Sequence, residues 1–137
     1  MEETQEKRKV LMVDDDAGFV EVVKERILSW GYECLTSSSG PEALSVLASQ
    51  DIDIVILDYM MPGMDGLSTL REIRKKYKDL PVIMFTAHPD GRSLFGSKEL
   101  HVNAFLPKLS SATDASTSLR SAILLVIAQQ KDKRANP

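Results

Sequence analysis

Four aspartates directly follow short apolar segments of the kind that form buried strands. Three of them, at positions 14–16, come after the segment 10–13, and Asp58 comes after the segment 54–57. Ligands of an open parallel sheet bind at the carboxyl ends of its strands, so these carboxylates converge on one edge if the two strands are neighbours. Carboxylates that close repel one another unless a cation or protons compensate their charge. A hard cation bound through oxygen fits such a cluster, and Mg²⁺ typically binds few carboxylates, several waters and a phosphate.

Two further polar residues follow apolar segments in the same way. Thr86 comes directly after the segment 82–85, and Lys108 comes after 105–107. A hydroxyl can donate a hydrogen bond to a phosphoryl oxygen, and an ammonium group can act as a point charge beside it. Each residue alone has an ordinary explanation, because threonine is common in strands and lysine in solvated loops. Together with the aspartates they predict a phosphate site at one sheet edge.

The segment after Asp58 reads Tyr-Met-Met-Pro-Gly-Met-Asp-Gly and has the composition of a shaped loop. Its proline and two glycines allow a backbone carbonyl to turn toward a metal while the approach to Asp58 stays open. The ordinary alternative is that these aspartates serve only as loop residues or helix caps, and Asp16 is a good N-cap candidate. An acidic cluster after one strand together with an aspartate after another is much rarer by chance than either alone, which favours the functional interpretation.

Short apolar segments alternate with helical patterns along the whole chain, which predicts an α/β sandwich around a parallel sheet. Strands are predicted at 9–13, 33–36, 54–57, 82–85 and 104–106. Helices are predicted at 19–30, 40–49 and 67–77, with a last one from Thr113 or Asp114. The segment 87–100 contains Pro89, Gly91 and Gly96, so a helix there should be short or irregular. Right-handed crossovers restrict the topology to a few doubly wound arrangements.

The composition is that of one globular domain. The chain has 137 residues and a net charge of −3, which is not the basic balance of a nucleic-acid-binding surface. No apolar run reaches the length of a membrane span, and the charged N-terminus lacks the apolar centre of a signal peptide. The single cysteine, Cys34, cannot form an internal disulfide. These features predict a cytoplasmic protein.

Four motifs, in this order, resemble the receiver domain of bacterial two-component response regulators, of the chemotaxis-receiver type. They are Val-Asp-Asp-Asp at 13–16, Leu-Asp-Tyr-Met-Met-Pro-Gly-Met-Asp-Gly at 57–66, Phe-Thr-Ala at 85–87 and Leu-Pro-Lys at 106–108. The resemblance implies a flavodoxin-like, doubly wound five-stranded parallel sheet in the order 2-1-3-4-5 with helices on both faces. It also predicts a receiver domain at 9–130, between a charged tail at 1–8 and a polar tail at 131–137.

The resemblance also implies a role for each residue of the acidic cluster. Asp58 would be the phosphoacceptor. Asp14 and Asp15 would hold Mg²⁺, for which Mn²⁺ can substitute, with Asp15 binding directly and Asp14 partly through water. The backbone carbonyl of Met60 would complete the protein ligands of the metal.

The same resemblance assigns a switch to the other strand ends. Thr86 would be the switch hydroxyl, Lys108 would pair with the phosphoryl group, and Phe105 would be the aromatic that turns inward on activation. The chain departs from the family pattern at Leu109, where a proline usually follows the lysine. This change and the irregular segment 87–100 lie on the face that such domains use for output.

The resemblance implies a phosphoacceptor switch that takes its phosphoryl group from a sensor histidine kinase or a phosphotransfer protein. Such a phosphoprotein is not an enzyme, since it catalyses only its own phosphorylation and a slow dephosphorylation. The downstream protein target or output domain is open, as is a dimer that forms on phosphorylation. No direct contact with nucleic acid or a membrane is predicted.

Two alternatives remain. A receiver-like scaffold that works without phosphorylation stays open because the region after Thr86 is altered. A metal-dependent phosphohydrolase with an aspartyl nucleophile is the weaker one. Such enzymes usually carry a second aspartate two residues after the first, where this chain has Met60, and they need a substrate cap for which the chain has no room.

Overall fold

A computed structural model describes residues 8–87, 96, 98–108 and 112–135, and it describes the side chains of the last helix over 117–130. These residues form five strands and four complete helices. In chain order they are β1 (Lys9–Val13), α1 (Ala17–Ser29), β2 (Glu33–Ser37), α2 (Gly40–Ser49), β3 (Ile54–Asp58), α3 (Gly66–Lys76), β4 (Val82–Thr86), β5 (Ala104–Pro107) and α4 (Ala112–Ala135).

The five strands form one parallel sheet in the order β2-β1-β3-β4-β5. This confirms the doubly wound α/β fold that the sequence predicts. In the register of the central strands, Val13 lies beside Leu57 and Asp58 lies beside Phe85. The residues that follow β1 and end β3 therefore lie next to each other at the carboxyl edge.

Two apolar cores lie on the two faces of the sheet. One lies between the sheet and α1 and α4, and it includes Val10, Met12 and Ile56. The other lies between the sheet and α2 and α3, and it includes Leu11 and Leu57. Consecutive strand residues point to opposite faces, so a strand covered on both sides has to be apolar at every position. This explains the continuous apolar segments from which the central strands were predicted.

Three side chains cap the helices that begin near the carboxyl edge. Asp16 accepts a hydrogen bond from the Phe19 N–H at 3.1 Å, and Asp65 accepts one from the Ser68 N–H at 2.7 Å. Ser39 caps α2. Each cap satisfies a backbone donor that the helix leaves unpaired, and such a cap typically contributes about 1 kcal/mol. Asp16 therefore serves as the N-cap of α1.

Arg74 connects the end of α3 to the residues before β5. Its guanidinium group donates to the carbonyl oxygens of Tyr77 at 3.0 Å and Leu80 at 2.7 Å. It also donates to those of Leu100 at 2.8 Å and His101 at 3.1 Å. A single cation thus satisfies backbone acceptors from two separate segments and fixes the start of the edge strand.

The expected short or irregular helix between β4 and β5 lies mostly outside the described residues. Gly96, Lys98 and Glu99 are helical. A Cβ atom at Gly96 would lie 2.7 Å from Cδ2 of Leu67, at the start of α3. Glycine at this position therefore permits a close approach to α3, although the sequence alone marks it only as a poor helix former.

Helix α4 continues to Ala135, so residues 131–135, which the sequence predicts as part of a polar tail, are helical. The physical reason is that lysine, arginine and alanine favour helix, and basic residues near a helix C-terminus interact favourably with the helix dipole. The limits of the domain itself stay predictions. Although α4 has 24 residues, no helix among the described ranges is both long and apolar enough to cross a bilayer.

Candidate functional site

Three carboxylates meet at the carboxyl edge of the sheet. Asp14 follows β1 and Asp58 ends the neighbouring strand β3, and their side chains are buried, with 2% and 3% of the residue surface exposed. Asp15 is exposed beside them. One carboxylate oxygen from each of the three residues lies within 4.8 Å of the other two. The structure thus brings together the acidic residues that the sequence singles out.

The carboxylate of Asp14 is held by the turn that leads into α1. The Asp14 N–H donates to the carbonyl of Ser37 at 3.1 Å, which anchors the residue to β2. Its Oδ1 atom accepts a hydrogen bond from the Asp16 N–H at 2.9 Å. One oxygen is therefore fixed by the backbone, and the other, Oδ2, faces the ammonium group described next.

Lys108 brings the positive charge of the site. Its Nζ atom lies 2.8 Å from Oδ2 of Asp14 and 3.9 Å from Oδ2 of Asp58, and 15% of its side chain is exposed. Burial alone lowers the pKa of an ammonium group. Here the hydrogen bond to Asp14 and the charges of Asp14, Asp58 and Asp16 together outweigh burial, so the pKa of Lys108 is raised above its ordinary value. The residue therefore stays charged.

Asp58 has the most perturbed proton affinity in the site. Burial and the negative charge of Asp14 raise its pKa from an ordinary value of 3.8 to about 7. Lys108 and the Met60 N–H, which lies 3.4 Å from Oδ1 of Asp58, oppose this rise only in part. The ammonium group of Lys108 thus does not offset the combined effect of burial and of the Asp14 charge on the pKa of Asp58.

The loop after β3 folds back so that Gly66, the first residue of α3, contacts the backbone of Asp58. The Tyr59 N–H donates to the Phe85 carbonyl at 2.9 Å, and the Gly66 N–H donates to the Tyr59 carbonyl at 2.8 Å. A Cβ atom at Gly66 would lie 2.3 Å from the carbonyl oxygen of Asp58, closer than real Cβ atoms come to backbone. Helix α3 therefore begins in contact with Asp58, and only glycine fits at its first residue.

The other predicted site residues lie around this cluster in different environments. Thr86 is buried and ends β4, one residue after Phe85, the neighbour of Asp58 in the sheet. Phe105 is half-buried and packs against the core on the α2 and α3 side. The side chain of Met60 is 55% exposed. The metal-binding role of the Met60 carbonyl and the switch role of Phe105 stay predictions.

The sequence reasoning missed Phe19 as part of the site. The Lys108 Nζ atom lies 4.3 Å from the centre of the Phe19 ring, which in turn lies 5.7 Å from the Phe85 ring at a tilt of 44°. From the sequence, Phe19 is only one of the apolar residues at helical spacing. The usable signal is its position in the first turn after the acidic loop, where a side chain on the sheet side reaches the carboxyl edge.

The residues at this edge fit a divalent metal ion. Three carboxylates and one ammonium group leave an excess of negative charge at this edge, and the charge of Asp14 adds to burial in raising the pKa of Asp58. All available donors are oxygens, which Mg²⁺ prefers. Because two of the carboxylates are buried and one is exposed, a cation could bind them while keeping several waters.

The match to a family of known proteins extends over most of the chain. The model of the response regulator receiver domain matches residues 10–120. The chain belongs to this family. It is therefore a receiver domain, the phosphoacceptor switch module of two-component signalling.

Curated relatives of this receiver domain are longer proteins. The probable transcriptional regulator ycf27 of Guillardia theta is 37% identical over 117 residues, which cover 85% of this chain and 46% of that protein. The DNA-binding transcriptional regulator NtrC of Escherichia coli K12 is 34% identical over 124 residues, which cover 90% of this chain and 26% of NtrC. The receiver domain thus spans about half the length of the ycf27 proteins, and less of NtrC.

Solved receiver structures share the fold. The response regulator TrrA of Thermotoga maritima, in complex with Mg²⁺ and BeF, is 35% identical with a TM-score of 0.72, covering 84% of this chain and 98% of that one. The chemotaxis protein CheY4 of Vibrio cholerae is 27% identical with a TM-score of 0.77, covering 85% and 99%. The flavodoxin-like architecture predicted from the sequence is therefore confirmed.

Proposed function

We propose that Asp58 accepts a phosphoryl group from a phosphohistidine of a sensor histidine kinase or a phosphotransfer protein, in a reaction that requires Mg²⁺. The main support is the position of the buried Asp58 carboxylate. One of its oxygens lies within 4.8 Å of carboxylate oxygens of Asp14 and Asp15, and its Oδ2 atom lies 3.9 Å from the Lys108 Nζ atom. A metal bound there would be held by Asp14, Asp15, Asp58 and the carbonyl of Met60. Mn²⁺ offers similar oxygen chemistry and can substitute.

The transfer begins with the ionised carboxylate of Asp58. One of its oxygens attacks the phosphorus in line, the N–P bond of the phosphohistidine breaks, and its electron pair stays on the imidazole nitrogen, which takes up a proton. A bound Mg²⁺ supplies positive charge that stabilises the transferring oxygens. The Lys108 ammonium adds a fixed charge on the Asp58 Oδ2 side. The protein's contribution is thus positioning and electrostatics.

The acyl phosphate that forms carries about two negative charges at Asp58, where the ionised carboxylate carried one. We expect Lys108 to pair with one phosphoryl oxygen and the Thr86 hydroxyl to donate to another. Movement of Thr86 then leaves room for Phe105 to turn inward, which changes the surface around β5. The contacts of Lys108 and Thr86 with the phosphoryl oxygens thus link phosphorylation to partner binding.

We expect the phosphorylated state to be long-lived. The residue two positions after the phosphoacceptor is Met60, whose apolar side chain cannot orient an attacking water. The domain therefore catalyses its own phosphorylation and only a slow dephosphorylation. Met60 also stands where an aspartyl-nucleophile phosphohydrolase would carry its acid/base, which disfavours that alternative.

The phosphorylated surface is read by a protein, either a separate target or an output domain. The net charge of −3 gives the domain no electrostatic attraction for nucleic acid. The relatives named as transcriptional regulators extend well beyond the matched region, so their DNA contacts need not come from the receiver. A dimer that forms on phosphorylation is one form this readout can take.

Intact mass spectrometry after incubation with acetyl phosphate and Mg²⁺ tests the proposal. We expect a phosphoryl-sized gain in the wild type and in the control Asp51→Asn, which removes an exposed carboxylate. The gain should disappear in Asp58→Asn and after chelation of the metal. A gain that persists in Asp58→Asn would refute the assignment. No gain in the wild type and no binding of beryllofluoride with Mg²⁺ would favour the scaffold alternative.

A further inference from the structure

The ammonium group of Lys108 lies against the face of an aromatic ring as well as beside two carboxylates. Its Nζ atom is 4.3 Å from the centre of the Phe19 ring, within the range of a cation–π interaction. Only 15% of the Lys108 side chain is exposed, so water does not screen this contact fully. The interaction is therefore stronger than one at an open surface.

The two carboxylates by themselves would draw the ammonium group to one side. The Nζ atom is 2.8 Å from Oδ2 of Asp14 but 3.9 Å from Oδ2 of Asp58, the proposed phosphoacceptor. A lysine side chain has a flexible four-carbon stem, so a single ion pair leaves its ammonium group a choice of positions. The Phe19 ring adds a third contact, which limits the positions that the ammonium group can take.

The ring itself is held by the elements that build the site. The Phe19 N–H donates to the N-cap Asp16 at 3.1 Å, which fixes the first turn of α1. The ring packs on Phe85 at 5.7 Å, and Phe85 lies beside Asp58 in the register of β3 and β4. The position of the ring is thus tied to the same strand pair that carries the phosphoacceptor.

We propose that Phe19 is a positioning residue for phosphoryl transfer. Its ring holds the Lys108 ammonium at the Oδ2 side of Asp58, where it can meet an incoming phosphoryl oxygen. This inference rests on the proposed function. A ring that only fills the core would matter for stability alone, whereas a ring that positions Lys108 affects the rate of transfer through that lysine.

Variants of Phe19 separate these two roles. Phe19→Leu keeps an apolar side chain but removes the aromatic ring, whereas Phe19→Tyr keeps an aromatic ring at this position. The matched control is Trp30→Leu at the C-cap of the same helix, where the Arg120 guanidinium lies 5.8 Å from the ring centre. That variant also removes the ring of a cation–π pair, but outside the phosphoacceptor cluster.

The first measurement is the rate of phosphorylation by acetyl phosphate at saturating Mg²⁺, followed by intact mass. We expect Phe19→Leu to lower the maximal rate by about three- to tenfold, and Phe19→Tyr to recover most of it. Trp30→Leu should stay within about twofold of the wild type. If Phe19→Leu is too unstable to assay, Phe19→Met tests the same loss of the π face in a longer side chain.

The second measurement reports on the lysine directly. The Cε protons of Lys108 should show an upfield ring-current shift by NMR in the wild type and in Phe19→Tyr, and lose it in Phe19→Leu. The Lys108→Met variant assigns the signal. In that background Phe19→Leu should slow phosphorylation no further, because the lysine through which Phe19 acts is gone.

The failure of this inference differs from the failure of the proposed function. A wild type that gains no phosphoryl group overturns the function of Asp58, and with it the inference that depends on it. A wild type that is phosphorylated, with Phe19→Leu as fast as Trp30→Leu, overturns only the role of Phe19. An unchanged Lys108 shift in Phe19→Leu, or an equal slowing in the Lys108→Met background, overturns it as well.

Discussion

Replacing Asp58 with asparagine should stabilise the metal-free protein at alkaline pH, although it removes the proposed phosphoacceptor. The folded protein raises the pKa of Asp58 from 3.8 to about 7, chiefly by burial and by the charge of Asp14. The folded state therefore binds this proton more tightly than the unfolded state does. The contribution of Asp58 to stability is fully present below pH 3.8 and is lost as the pH rises through about 7.

The magnitude follows from the size of this change in proton affinity. Each tenfold change corresponds to about 1.4 kcal/mol, so the full change amounts to about 4 kcal/mol at pH 8. The asparagine amide is buried in turn, and Lys108 loses part of its counter-charge, which offsets some of the gain. We expect Asp58→Asn to raise the free energy of unfolding by about 2–3 kcal/mol at pH 8, and by less than about 1 kcal/mol at pH 5.

Urea unfolding in the presence of a chelator, at both pH values, measures this difference. The control Asp51→Asn removes the charge of an exposed carboxylate and should change stability by less than about 0.5 kcal/mol at either pH. An Asp58→Asn variant that is no more stable than the wild type at pH 8 would contradict the reasoning. A gain of equal size at pH 5 would also do so, because it could not come from the ionisation of Asp58.

Three further outcomes are expected elsewhere in the fold. Gly66→Ala should destabilise the protein by about 2–4 kcal/mol and slow phosphorylation at least about tenfold, because its Cβ would lie 2.3 Å from the carbonyl oxygen of Asp58, the proposed phosphoacceptor. Its control Gly18→Ala, with no contact closer than 3.6 Å, should stabilise α1 by about 0.5–1 kcal/mol in thermal unfolding. Arg74→Met should lower the free energy of unfolding by about 2–4 kcal/mol, since four carbonyls lose a charged donor, whereas the exposed Arg71→Met should change it little. Burial raises the pKa of the Cys34 thiol to about 11, so alkylation at pH 8 should be slow in the native protein and become fast on unfolding; rapid native labelling would contradict this burial.

The sheet and its acidic edge could be predicted because their signals are local in sequence. The segments 10–13 and 54–57 are short, apolar at every position and rich in β-branched residues, which favours a strand buried on both faces. An aspartate directly follows each segment, so the same few residues predict both the end of the strand and a candidate metal ligand. The pairing of β1 with β3, which brings Asp14 to Asp58, is implied only by the family resemblance, because the residues alone leave several doubly wound arrangements open.

The contacts that could not be predicted join residues far apart in the chain. The contact of Lys108 with the Phe19 ring joins the end of β5 to the first turn of α1, and neither residue type requires the other. Arg74 reads as a basic residue at a helix end, yet it donates to the carbonyls of Leu100 and His101, whose positions depend on the path before β5. From the sequence, Gly96 is only a poor helix former, because nothing in the sequence indicates that it packs against Leu67.

The charge imbalance at the carboxyl edge connects the stability of the domain to its proposed activity. Asp14 and Asp58 are buried side by side with one ammonium group between them, an arrangement that destabilises the metal-free fold. The same excess of negative charge would favour the binding of a divalent cation, because a cation would reduce the repulsion between the buried carboxylates. A cation bound there would in turn favour the ionised form of Asp58, which is the form that the proposed phosphoryl transfer requires. The cost of burying these carboxylates and the proposed reactivity of Asp58 therefore have one cause, and a substitution that removes the first removes the second.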